Sequence, residues 1–167
     1  MDQFGELATA LKKIPGRVVI ILLSCGSGSS INQIASADAA AQEEAFISEF
    51  IDTIAAHDEQ IVIGGEGGEM PANGELMVAN KFYVIATTRG GENGYYNNSK
   101  GSVLLRWMKD GVLETNKGGD NTITLAEMAT YLKNRGNREA LNTTDGIKYM
   151  HPQVYPSNSS FPLFMER

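Results

Sequence analysis

The fold class this sequence predicts is α/β with a mostly parallel sheet, in a single domain covering 1–167. Two observations carry it. First, two short apolar runs, "VVIILL" (Val18–Leu23) and "KFYVIATT" (Lys81–Thr88), are continuous rather than alternating. Runs of that kind suit strands covered on both faces, as in parallel sheets. Second, amphipathic patterns alternate with them in the order helix–strand–helix–strand–helix–helix, the arrangement of an α/β domain.

Each element has its own local signal. Phe4, Leu7, Leu11 and Ile14 recur at helical spacing, which predicts a helix over 2–13, and Pro15-Gly16 stops it. The strand Val18–Leu23 leads into small polar residues, a loop to Asp38. Phe46, Ile47, Phe50, Ile51 and Ile54 share one face of a helix over 39–56, with Glu43 and Glu44 in the early turns where the helix dipole favours anions. Gln60–Ile63 reads as a short strand or as a continuation of that helix. The glycines and the "PANG" tetrapeptide predict a long surface loop over 64–80. After the second buried strand comes a Gly-rich polar loop, "RGGENGYYNNSKG", then a helix over 102–109. Thr124 followed by Glu127 is a capping box that opens a last helix, to about Asn134. The proline-punctuated tail "HPQVYPSNSSFPLF" is expected to be extended and to finish on the surface of the sheet.

Composition removes several function classes. The chain has 167 residues, of which 42% are hydrophobic and 20% charged, and a formal net charge of -6. That is enough chain for one sizeable core. With no dense Lys/Arg cluster there is no footprint for a nucleic acid. No apolar run approaches the ~20 residues of a membrane span, so neither partner class is expected. A lone cysteine excludes an internal disulfide. One cysteine and two distant histidines, His57 and His151, give no zinc-ligand spacing.

The most informative stretch is Ser24-Cys25-Gly26-Ser27-Gly28, where the first strand ends. As a phosphate loop it fails: Ile31 stands where a dinucleotide fingerprint has its third glycine, and no Gly-Lys-Ser/Thr is present. As a serine-hydrolase elbow it fails too, because Cys25 and Ser29 occupy the glycine positions around Ser27. Free cysteine is ordinarily a small buried hydrophobe. Against that stands its position at the carboxyl end of a strand, where ligands bind in open α/β sheets.

These residues resemble the nucleophile strand of the caspase–hemoglobinase clan of cysteine peptidases, which includes caspases, metacaspases, legumains, gingipains and clostripain. "KFYVIATTRGGENGYY" followed by "KGSVLLRWM" is similar to the later strand, substrate wall and helix start of that fold. "DNTITLAEMATYL" and "HPQVYPSNSSFPLF" are similar to its closing segments in bacterial caspase-like peptidases. The resemblance spans nearly the whole chain but only the C-terminal half of the family's catalytic domain. It implies a three-layer fold incomplete on its N-terminal side, with Cys25 as nucleophile and the Cys25 N–H as an oxyanion donor, Gly26 completing the turn. It also implies a peptide or protein substrate touched by Leu23, Ser24, Thr87, Thr88, Arg89, Tyr95 and Tyr96, no cofactor, and a secreted or cell-surface setting.

Two departures qualify what the resemblance implies. The family's histidine precedes its cysteine, and no histidine lies before Cys25 here. The expectation is therefore a fragment that works with its upstream half, is nearly inactive alone, and has an open sheet edge that pairs with itself or with that half. Leu23 stands where many relatives carry the acidic residue that recognises a basic or Asn side chain. A catalytically inactive relative serving as a binding or scaffold domain is the alternative. Finally, Asn116, Asp120, Thr122 and Glu127 fall at ligand positions of a twelve-residue calcium loop, but Gly118 and Asn121 break its pattern. Glu127 is already accounted for by the capping box.

Overall fold

A computed structural model describes residues 3–23, 49–63, 77–88, 92, 94–97, 99–115, 122–143 and 146–165. Helix α1 (Gln3–Lys12) precedes strand β1 (Val18–Leu22). The described part of helix α2 covers 49–57. Strands β2 (Gln60–Ile63), β3 (Met77–Asn80) and β4 (Phe82–Ala86) follow, then the short β5 (Tyr96–Asn97) and β6 (Gly101–Ser102). Helix α3 (Val103–Thr115), strand β7 (Thr122–Thr124) and helix α4 (Leu125–Arg138) come next. Strands β8 (Leu141–Thr143), β9 (Gly146–Lys148), β10 (Gln153–Tyr155) and β11 (Pro162–Met165) complete the order.

The central sheet has the order β1-β4-β10. β1 and β4 are parallel, with Val18 opposite Phe82 and Leu22 opposite Ala86. β10 runs antiparallel to β4, with Gln153 opposite Ala86 and Tyr155 opposite Val84. The expectation of a mostly parallel sheet is thus corrected: among the described residues the central sheet is mixed, and the other strands form two-stranded antiparallel ladders, β2-β3, β5-β6, β8-β9 and β7-β11. The physical reason lies in the connections. No helix crosses over between α4 and β10; the β8-β9 hairpin intervenes, and the chain enters the sheet from the opposite end.

β4 is covered on both sides because its alternate side chains enter two separate cores. Phe82 and Val84 pack with Ala8 of α1 and with Phe50 and Ile54 of α2; Val18, Ile20 and Leu22 of β1 join the same cluster. Tyr83 and Ile85 point the other way, into a larger cluster with Leu104, Trp107 and Met108 of α3 and Met128 and Leu132 of α4. β1 is different. Its residues Val19 and Ile21 remain 39% and 41% exposed, so it is covered on one face only.

Polar contacts lock the start of β4. The Asp58 carboxylate, just after α2, accepts from the N–H of Lys81 (3.0 Å) and Phe82 (3.0 Å) through one oxygen. Its other oxygen accepts from Asn80 Nδ2 (2.6 Å) and from the Tyr155 hydroxyl (3.1 Å). The buried Lys81 sends its ammonium to the carbonyls of Ile14 and Gly16 in the α1–β1 turn, the second at 2.5 Å. Desolvation of that charge is offset by the two acceptors.

Several local expectations also change. Residues 77–80, expected as part of a long loop, form β3 against β2 with Gln60 opposite Asn80. Gln60–Ile63 is accordingly a strand and not a continuation of α2. Helix α3 runs to Thr115 because Gly111 does not end it. A Cβ there would lie 2.9 Å from the Tyr131 ring, so glycine is what lets α3 and α4 approach. α4 extends to Arg138, and Gly136 lets Met150 pass: a Cβ would sit 2.4 Å from the Met150 carbonyl oxygen. The tail is extended as expected, β10 inside the central sheet and β11 against β7. It is pinned by Phe161, which stacks on Tyr83 at 4.2 Å under the Arg17 guanidinium.

Candidate active site

The carboxyl ends of β1 and β4 finish level with each other. Thr87 ties them together: its N–H (3.1 Å) and its hydroxyl (2.7 Å) both donate to the Leu22 carbonyl. Thr87 and Thr88 are buried, and the Thr88 hydroxyl has no hydrogen-bond partner among the described residues. Both threonines therefore shape the strand ends from within and do not line a solvent-facing wall. Leu23 is 44% exposed and continues the uncovered stripe of Val19 and Ile21. Ser24, Cys25, Gly26 and Arg89 lie outside the described residues. Tyr95 packs against the α3/α4 core and its carbonyl accepts from Val103 N–H (3.0 Å), whereas Tyr96 on β5 is 63% exposed. Of the two tyrosines, Tyr96 is the one with ring surface available to a ligand.

A second group at this edge has no counterpart among the sequence expectations for a site. β10 begins opposite Ala86, so His151 approaches the sheet from beyond the same carboxyl end. Glu92 grips it twice. One carboxylate oxygen accepts from the His151 backbone N–H (2.9 Å), and the other lies 2.6 Å from Nδ1. A carboxylate can only accept, so Nδ1 carries the proton of that contact. Glu92 and His151 are largely buried, at 17% and 26% side-chain exposure. His151 lines a cleft of about 490 Å³ with Thr130, Lys133 and Asn137 of α4 and with Gln153 and Ser157. Glu92 and His151 are 59 residues apart, and no periodicity or motif links them.

His57 is accounted for by its own helix: Nδ1 lies 2.9 Å from the Thr53 carbonyl one turn earlier. In the candidate calcium loop, Asn116 and Asp120 lie outside the described residues. Thr122 belongs to β7, and Glu127 is committed to the cap. Its carboxylate accepts from Thr124 N–H (2.8 Å) and hydroxyl (2.8 Å), while Thr124 Oγ1 accepts from Glu127 N–H (3.2 Å). Among the described residues no cluster of three or more His, Cys, Asp or Glu could hold a metal ion.

In comparisons with known proteins, no family model, no curated protein and no solved structure matches the chain.

Proposed function

We propose that this chain carries the nucleophile of a caspase-like cysteine endopeptidase, with Cys25 as the attacking thiol. The observation that supports the reading best is the parallel β1–β4 pair, whose ends are level at Leu22 and Ala86. Leu23, which precedes Ser24-Cys25-Gly26-Ser27-Gly28 in the sequence, follows β1 at the edge where open α/β folds hold their ligands. Helices on both sides of β4 and an antiparallel last strand are compatible with a three-layer caspase-like domain. The chemistry is acyl transfer. The thiolate adds to a peptide carbonyl, the amine leaves with a proton from an imidazole, and water cleaves the thioester. Backbone N–H groups at the cysteine would hold the oxyanion.

A peptide bearing an acyloxymethyl ketone tests the reading. It should modify Cys25 faster than it modifies a free peptide thiol, either in the chain alone or with whatever polypeptide its coding sequence places upstream. Cys25→Ala should abolish labelling. Ordinary thiol reactivity in both settings would reject the enzyme. A second reading, a non-catalytic binding domain, is favoured by one feature: exposed Leu23 where an acidic specificity residue is expected. It predicts peptide binding that survives Cys25→Ala.

A further inference from the structure

We propose that the cleft between α4 and β10 binds a small carboxylic acid that also carries an amine or hydroxyl donor. The site is built from these two elements and their flanks and does not involve Cys25. Its volume of about 490 Å³ falls within the range of small-ligand sites.

The two walls make opposite demands. On the α4 side Thr130, Lys133 and Asn137 share one helix face, while Met128 and Leu132 turn into the core. Lys133 is the only formally charged side chain of the lining, and no Asp or Glu joins it among the described residues. No described residue forms an ion pair with Lys133, whereas Arg106 and Arg135 are engaged by Glu139, Asp110 and Glu114. An unpartnered ammonium in a cleft calls for an anion. One positive charge beside the largely buried Glu92 suits a monoanion such as a carboxylate, because a phosphate dianion would bring excess negative charge.

The β10 side offers acceptors. Glu92 takes the Nδ1–H of His151 at 2.6 Å, which leaves Nε2 of the neutral ring with only a lone pair. Gln153 Nε2 donates to the carbonyls of His151 and Pro152, each at 3.3 Å, which leaves Oε1 as the free end of that amide. This wall therefore calls for a donor, and a small acid with an amine or hydroxyl satisfies both walls at once. An added peptide strand is the poorer occupant. β10 is an edge strand among the described residues, but Pro152 and Pro156 flank it and have no N–H to offer.

The test is a titration of the chain with the standard amino acids and with glycolate and lactate, followed by thermal midpoint and by amide chemical shifts. At least one probe should raise the midpoint and move the resonances of 130–137 and 151–157. Binding by the amine series or the hydroxyl series supports the site and identifies the donor that the β10 wall takes. Converting the bound probe's carboxylate to a carboxamide should weaken it by about tenfold or more, and Lys133→Gln should do the same. Lys133 is exposed, so that variant keeps the core intact. Acetate and propionate, which keep the carboxylate and lack the donor, should bind about fivefold more weakly or worse. The proposal is overturned if no probe binds, or if the shifts map elsewhere. Binding that is indifferent to the carboxamide, to Lys133→Gln or to loss of the donor overturns it equally.

Discussion

β1 and β4 are neighbours with similar apolar sequences, yet they occupy different environments. In β4 all five residues are buried, because the α1/α2 layer covers one face and the α3/α4 layer the other. In β1 burial alternates: Val18, Ile20 and Leu22 face the α1/α2 core, while Val19 and Ile21 stay exposed. α3 and α4 reach across β4 but not as far as β1. A continuous apolar run thus permits two-sided burial without producing it. Position in the sheet decides, and Val19, Ile21 and Leu23 form an exposed apolar stripe on the other face.

Substitutions along the two strands sharpen the contrast. Ile85→Ala removes a fully buried side chain between β4 and the α3/α4 helices, and should cost about 3 kcal/mol in urea unfolding. Ile21→Ala, at the position on β1 paired with Ile85, should cost under about 1 kcal/mol. Equal losses at the two sites would mean that the exposed face of β1 is covered in solution. The next largest effect is expected at Asp58, which anchors the start of β4. Asp58→Ala removes the carboxylate from the Phe82 N–H, the Asn80 amide and the Tyr155 hydroxyl, while the Lys81 N–H keeps the Glu59 carbonyl, and should cost about 2 kcal/mol, with the loss in chemical denaturation checking it.

Gly136→Ala tests the α4 side of the same core. Helix propensity alone favours alanine by up to about 1 kcal/mol. The Met150 carbonyl is backbone and cannot yield cheaply, so a net loss of about 2 kcal/mol is expected, read as a lower thermal midpoint. Tyr155→Phe should have a smaller effect, about 1 kcal/mol from the lost hydrogen bond to Asp58. It also changes the alkaline limb. Burial, with the Asp58 carboxylate adding to it, pushes the Tyr155 phenol above its ordinary value. A raised folded value means that this contribution is intact below about pH 10 and is lost as pH climbs through the folded value. Tyr131, raised first by its own burial, acts in the same window, so Tyr155→Phe should reduce the alkaline loss of stability without removing it.

Local signals in the sequence locate what local physics controls. α1, the two central strands, the capping box at Thr124 and the extended tail follow from spacing, apolar runs and proline. The same signals stop α3 and α4 too early, at Lys109 and Asn134; Gly111 and Gly136 lie inside the helices, where they permit close packing. β3, β5 and the β8–β9 hairpin are too short to announce themselves and exist through their partners. The site divides the same way. Cys25 stands out by its place after an apolar run, whereas Glu92 and His151 have nothing in common until the fold joins them. Thr87 and Thr88 follow β4 directly, and their burial comes from packing that no local pattern announces.

What the sequence by itself determined is the set of α/β elements and their approximate order, since backbone propensity and side-chain period act over a few residues. What only the tertiary structure decided is the antiparallel entry of β10, the one-sided cover of β1 and the pairing of His151 with Glu92. Each of these depends on which distant segments share a face, and that is settled by the packing of whole layers and not by any local preference of the chain.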